Sequence, residues 1–107
     1  MIRVFAFAIA GGLALAAPAR AEPGTVLVIK DHLFEPQVLS IPAGTKVTVT
    51  VHNAGTTPAE FESADLNREK LVAAGHDIQV IVGPLPAGTY KFFDDFHPDT
   101  TGRIEVK

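Results

Sequence analysis

The sequence has 107 residues, of which 47% are hydrophobic and 20% are charged, and its formal net charge is −3. This length allows one small domain, and the composition excludes a disordered or collagen-like chain. The absence of cysteine excludes disulfide bonds, iron–sulfur clusters and thiolate-bound copper or zinc.

The N-terminal segment is typical of an export signal. A short basic start precedes the apolar residues 4–17, and the small-x-small pattern of residues 19–21 fits a cleavage site. We therefore predict a cleaved signal peptide at residues 1–21 and one domain at residues 22–107, with a retained anchor as the alternative. That domain has seven basic and twelve acidic residues, so its net charge of −5 argues against binding of nucleic acid or anionic lipid. It also contains no sulfur, because Met1 is the only methionine.

From residue 25 onward, short β-branched runs separated by turns predict an all-β fold. The pattern favours a small Greek-key sandwich or barrel of about seven strands. The predicted strands are residues 25–30, 38–41, 46–52, 59–63, 78–82, 89–93 and 103–107. Residues 63–71 have a helical composition, with Ser63 or Asp65 as the N-cap, and predict a turn of helix or an ordered loop.

The densest set of potential ligands lies in residues 90–99. In a strand, Tyr90 and Phe92 share one face, and Asp94 continues it where the strand ends. His97 follows in a predicted loop. A carboxylate and an imidazole beside large aromatic rings form a plausible cation site. A polar loop at the end of the sheet, with a solvated histidine, explains the same residues without a metal.

Two further segments carry candidate ligands. Glu60 and Glu62 share one strand face while Phe61 occupies the other and fills the core, so the glutamates point outward or toward the end of the sheet. The alternative for them is a solvated strand face. The third segment, residues 31–36, contains His32 where the chain leaves its first strand.

Together these segments resemble the cupredoxin family. That family carries a C-terminal motif of roughly Tyr-x-Phe-x-Cys-x-x-His, followed by Gly and a final strand. The sequence offers Asp94 in place of the cysteine. It also has Ala59 in place of the family's earlier histidine, after Asn53 and Pro58. The matching residues are Tyr90, Phe92, His97 and Gly102, the strand 104–106, and Phe34, Pro36, Leu39 and residues 43–45 near the start.

These departures exclude a blue-copper electron carrier, which needs a cysteine thiolate and two histidines. A narrower resemblance is to the cupredoxin-like periplasmic domains of bacterial ferrous iron-uptake systems, associated with an iron permease. Residues 58–62 (Pro-Ala-Glu-Phe-Glu) match their (Pro/Ala)-x-Glu-aromatic-Glu pattern. The resemblance implies a stand-alone periplasmic relative of these domains.

The resemblance also implies a set of metal ligands. Glu60, Asp94 and His97 are the first candidates, and Asp95 and His32 follow. Carboxylate and imidazole ligands suit iron, Cu(II) or Mn(II) better than Cu(I). The set thus implies bound iron and/or Cu(II). Lower-ranked candidates are His52 and His76, and a second acidic site or docking face formed by Glu62, Asp65 and Glu69.

The implied function is metal binding in high-affinity iron uptake, with assistance to Fe(II) oxidation before delivery to an inner-membrane permease and other periplasmic components. Two alternatives stay open: a periplasmic docking module that binds no metal, and a copper-delivery protein. The lack of methionine argues against the second, because Cu(I) transfer uses soft ligands. No hydrolase or transferase motif is present, so enzymatic activity is an open question.

Overall fold

The computed structural model describes residues 25–107, and this part of the chain contains nine β-strands and no helix. The predicted signal peptide lies outside the described residues. The described residues contain no helix able to cross a membrane. The strands are β1 (Val26–Lys30), β2 (Leu33–Glu35), β3 (Val38–Ile41), β4 (Val47–Asn53), β5 (Ala59–Ser63), β6 (Arg68–Val72), β7 (Asp77–Val82), β8 (Gly88–Asp94) and β9 (His97–Val106).

The strands form two sheets that pack as a sandwich. The first sheet has the order β2-β1-β4-β7, and the second has the order β3-β9-β8-β5-β6. The pairs β1–β4 and β3–β9 are parallel, and all other strand pairs within the described residues are antiparallel. The predicted all-β sandwich is confirmed, with two strands more than expected.

The core follows from the alternation of residues along the strands. Val47, Val49 and Val51 of β4 are buried while the residues between them are only half-buried, as period-two alternation requires. Phe61 and Phe92 are each 1% exposed and stack with ring centroids 5.2 Å apart, as expected for core-facing positions. Phe34 completes this aromatic cluster by meeting Phe92 edge-on, with the centroids 4.8 Å apart.

Gly102 allows the ring of Phe92 to lie against β9. A Cβ atom at this position would lie 2.5 Å from the Phe92 ring and 2.9 Å from the Gln37 carbonyl oxygen. No side chain fits at these distances without displacing the core aromatic. The Gly102 match in the family motif therefore has a packing reason.

The expected helical turn at residues 63–71 is wrong. Ser63 Oγ does accept a hydrogen bond from the Leu66 N–H, at 3.0 Å, as a capping side chain would. The segment nevertheless turns within residues 64–67, where Asn67 takes a φ of 57°, and returns as β6 paired with β5. Backbone pairing with β5 thus overrides the local helical composition.

Side chains of β6 cover the open edge of β7. Arg68 Nε donates to the Ile81 carbonyl at 3.2 Å, and Lys70 Nζ donates to the Gln79 carbonyl at 2.8 Å. These bonds satisfy carbonyl groups that a neighbouring strand would otherwise pair. The polar character of residues 68–70, which mimics a helix in the sequence, follows from this edge position.

The last strand begins earlier than expected. β9 starts at His97 instead of residue 103, and Asp94 lies opposite His97 across the β8–β9 turn. His97 therefore occupies the first position of a strand and not the middle of a loop. This places its ring beside Asp94 at one end of the sandwich.

Candidate metal sites

One end of the sandwich contains an open cleft of about 490 Å³. The β1–β2 turn, the β4–β5 loop and the ends of β8 and β9 meet there, and we call this space the end cleft. Its polar lining comes mainly from the turn and the loop, and its floor is formed by the strand ends. The ligand-type side chains that line it are Asp31, His32, Asp94 and His97.

Asp94 is buried at the floor of the end cleft, with 2% of its surface exposed. Its Oδ1 atom accepts hydrogen bonds from the backbone N–H of Glu60 at 2.9 Å and of Phe96 at 3.0 Å. Its Oδ2 atom lies 3.2 Å from His97 Nδ1, which donates to it when that nitrogen is protonated. Three donors therefore occupy the carboxylate, and it orients the imidazole of His97.

His97 and His32 lie side by side above this carboxylate. Their ring centroids are 4.4 Å apart, and the rings are tilted by 55°. His32 has a φ of 60° in the β1–β2 turn, and its carbonyl oxygen accepts a hydrogen bond from Thr100 Oγ1 at 2.7 Å. The turn is thus tied to β9, which holds the two imidazoles together.

This donor set has a defined chemistry. With Nδ1 of His97 held by Asp94, its Nε2 atom is the nitrogen available to a metal, in the carboxylate–histidine–metal arrangement common in proteins. Two imidazoles and nearby oxygen atoms suit Cu(II) or another borderline divalent ion. Asp94 fits the role of an orienting group better than that of a direct ligand, since it is buried and both of its oxygens already accept hydrogen bonds.

Asn53 shapes the loop beside the cleft. It is 1% exposed, and its Nδ2 donates to the carbonyls of Thr57 at 2.8 Å and Val72 at 3.0 Å. Its Oδ1 accepts from the Gly55 N–H at 2.9 Å. The asparagine that the family motif identifies is therefore structural, because every polar atom of its amide holds backbone in place.

A second group of ligand atoms lies on the outer face of the second sheet. One ligand oxygen from each of Glu60, Glu62 and Asp95 lies within 4.8 Å of the others, and within residues 25–107 no other such group of three occurs. Glu60 and Glu62 are half-buried and Asp95 is exposed. We call these three residues the acidic triad.

The electrostatics of the acidic triad favour a bound cation. Desolvation is the largest cause that raises the pKa of Glu60, followed by the charge of Glu69 and by the hydrogen bond and charge of Asp95. The pKa of Glu62 is also raised, by desolvation and then by the charges of Asp95 and Glu69. These carboxylates are crowded by like charge, and a cation among them would relieve the repulsion.

The structure separates the five predicted ligands into two groups. Asp94, His97 and His32 lie in the end cleft, whereas Glu60 and Asp95 lie on the outer face with Glu62. The groups are adjacent, because the Glu60 N–H donates to Asp94 and the Glu60 carbonyl accepts from the Asp95 N–H at 2.9 Å. The Asp94 and Glu60 side chains point to opposite faces of one sheet, so the structure forms no single five-residue site.

The lower-ranked candidates are engaged in contacts within the sheets. His52 of β4 pairs through Nδ1 with Asp77 of β7, its partner in the strand register. Asp65 Oδ2 accepts a hydrogen bond from the Lys91 N–H at 2.9 Å. Glu69 lies directly opposite Glu62 in the β5–β6 pair, where it adds negative charge beside the acidic triad.

The chain belongs to the cupredoxin-like domain family, whose sequence model matches residues 3–106. Over 74 residues it is 47% identical to an uncharacterized protein of Rickettsia prowazekii (strain Madrid E). That match covers 69% of this chain and 59% of the relative, so the chain spans about three fifths of the relative's length.

Solved structures share the fold. A purple cupredoxin from Nitrosopumilus maritimus superposes with a TM-score of 0.64 at 24% identity, over 78% of this chain and 99% of that chain. A reduced amicyanin variant gives a TM-score of 0.67 at 21% identity, over 81% and 86% of the two chains. A Cu(I) form of another amicyanin variant gives 0.65 at 22% identity, over 77% and 80%.

The copper chemistry of this fold does not carry over unchanged. The chain has no cysteine, so a thiolate-centred blue-copper site cannot form. Asp94, at the cysteine position of the family motif, supplies a carboxylate that already holds two backbone N–H groups and His97. Any metal at this end of the sandwich is bound by nitrogen and oxygen.

Proposed function

We propose that the protein binds iron in a periplasmic high-affinity iron-uptake system, and that the acidic triad is the iron site. The observation that carries this proposal is the convergence of ligand oxygens from Glu60, Glu62 and Asp95 within 4.8 Å of one another. Carboxylate oxygens are hard ligands that suit iron and Mn(II). Two of the three carboxylates also have a raised pKa, which a bound cation would reverse.

The uptake role rests on the sequence resemblance. Residues 58–62 match the glutamate motif of iron-permease-associated domains, and the structure shows that both glutamates of this motif belong to the acidic triad. The proposed partners are an inner-membrane permease and other periplasmic components, and the export signal is residues 1–21. A role in assisting Fe(II) oxidation forms part of the same proposal and requires a one-electron acceptor, which a Cu(II) ion held in the end cleft would supply.

The end cleft supports a second candidate function, which is Cu(II) binding by His97 and His32. The favouring observation is the 4.4 Å spacing of their ring centroids, with His97 oriented by the buried carboxylate of Asp94. Imidazole nitrogens bind Cu(II) well, and second-sphere carboxylates strengthen such ligands. The chemistry that Cu(II) would supply here is one-electron acceptance.

The test is a metal titration of residues 22–107 with Fe(II) under anaerobic conditions and with Mn(II). Glu60→Gln/Glu62→Gln removes two triad charges, and Glu35→Gln/Asp99→Asn removes two exposed charges elsewhere as a matched control. We expect the triad variant to bind both ions at least tenfold more weakly and the control to bind as the unmodified chain does. Equal binding by the triad variant and the control overturns the iron site.

The docking-module alternative makes the opposite prediction. In that case Fe(II), Mn(II) and Cu(II) all fail to bind with micromolar affinity, and another periplasmic protein binds the chain equally well with and without metal. Binding of Fe(II) or Mn(II) with micromolar affinity that the triad variant loses excludes this alternative.

A further inference from the structure

A second depression lies on the outer face of the same sheet, on the far side of Phe93 from the acidic triad. It has a volume of about 540 Å³, within the range of small-molecule sites. Its lining is mainly apolar. We call it the β8–β9 groove, and it is lined by Gln37, Lys91, Phe92, Phe93, Pro98, Thr101, Gly102 and Arg103.

Two basic residues lie side by side in the lining of this groove. Lys91 of β8 and Arg103 of β9 are direct partners in the strand register. Like charges directly opposite each other destabilise a sheet. Arg103 uses Nε to bond Glu105 Oε2 at 2.9 Å, whereas Lys91 Nζ has no partner within residues 25–107.

The flat apolar element of the groove is Phe93. It is half-buried on the outer surface and lies between Glu62 on β5 and Thr101 on β9 in the strand register. A phenyl ring in this position offers a stacking surface to another ring. Because Glu62 lies on one side and the two cations lie toward β9, a bound anion would be held on the β9 side.

We infer that the β8–β9 groove binds a small aromatic carboxylate. The ring of the ligand packs on Phe93 and Pro98, and its carboxylate accepts charge-assisted hydrogen bonds from Lys91 and Arg103. In a domain of net charge −5, the free Lys91 ammonium and the Arg103 nitrogens that Glu105 leaves free select an anion in preference to a neutral ring. This inference is independent of the metal sites.

The test is a backbone-amide NMR titration of residues 22–107 with benzoate, and with benzamide as a neutral ligand of the same shape. The variant Lys91→Gln/Arg103→Gln removes the two groove cations. The matched control, Lys46→Gln/Lys107→Gln, removes two exposed cations near the β3–β4 turn, where the Lys107 carbonyl accepts from the Ala43 N–H. Both variants change the net charge equally.

We expect benzoate to shift the amide signals of Phe93, Thr101 and Gly102, and benzamide to bind at least tenfold more weakly. The groove variant should lose about tenfold in benzoate affinity, while the control should lose less than twofold. Equal binding of benzoate and benzamide, equal losses in the two variants, or shifts confined to other surfaces would overturn the inference.

Discussion

Asp94 and Asp95 are neighbours in the sequence and have opposite environments. Asp94 is buried, and its carboxylate is occupied by two backbone N–H groups and an imidazole nitrogen. Asp95 is exposed among Glu60 and Glu62, and its charge adds to the desolvation that raises the pKa of both. The pleat of β8 and its turn sends the two side chains to opposite faces of the sheet.

The difference shows how one residue type serves structure in one place and offers ligands in another. A buried carboxylate whose two oxygens both accept hydrogen bonds stabilises the fold, and a metal would compete with those donors. A carboxylate crowded by other carboxylates destabilises the metal-free fold, and a bound cation relieves the repulsion between them. The triad is therefore the stronger candidate for direct binding of a hard cation, and Asp94 is a positioning residue.

The largest expected effect comes from removing the buried carboxylate. Asp94→Ala leaves the Glu60 and Phe96 N–H groups without an acceptor and should lower the free energy of unfolding by about 3 kcal/mol. Asp95→Ala should change it by less than about 0.5 kcal/mol. Urea denaturation of the metal-free chains at pH 7 measures both, and equal losses would contradict the assignment of different roles.

The second effect concerns the end cleft. His32→Ala/His97→Ala should weaken Cu(II) binding at least tenfold and leave Mn(II) binding unchanged, because the triad does not contain these imidazoles. Isothermal titration with each ion measures this. His52→Ala/His76→Ala removes two histidines from elsewhere as a control. An equal loss of Cu(II) affinity in both double variants would exclude the end cleft as the copper site.

The smallest effect is the pH dependence of stability without metal. Glu60 and Glu62 have a pKa raised above 4.5 in the folded chain, so the folded state binds more protons than the unfolded state in that range. Their protonated forms therefore contribute to the free energy of unfolding below pH 4.5. This contribution is lost as the pH rises through the raised pKa values. Glu60→Gln/Glu62→Gln should therefore gain stability relative to the unmodified chain between pH 4 and pH 7. Urea midpoints measured across this range test the sign, and a relative loss would contradict it.

Much of this fold follows from the sequence pattern. The β-branched runs predict seven of the nine strands, with bounds close to those observed except at β9. β2 has only three residues, which are too few to show the two-residue alternation of a strand. β6 is an edge strand whose Arg68 and Lys70 bond the carbonyls of β7, so its pattern is polar and mimics a helix.

The sequence indicates which residues are candidate ligands, but it does not show which of them lie together in one site. Alternation places Phe61 and Asp94 on the inner face, where they are partners in the strand register, and Glu60 on the outer face. The family motif groups Glu60 with Asp94, whereas this alternation places them on opposite faces. The contact of His32 with His97 depends on the β1–β2 turn, whose positive φ values are not visible in residues 31–36 of the sequence.

We propose that iron binds at the acidic triad and not at the end cleft. The most direct measurement is anaerobic Fe(II) titration of three chains of residues 22–107: the unmodified one, Glu60→Gln/Glu62→Gln, and His32→Ala/His97→Ala. We expect at least a tenfold loss of Fe(II) affinity in the triad variant and less than a twofold loss in the cleft variant. A tenfold loss of Fe(II) affinity in the cleft variant, with unchanged affinity in the triad variant, would exclude the acidic triad as the iron site.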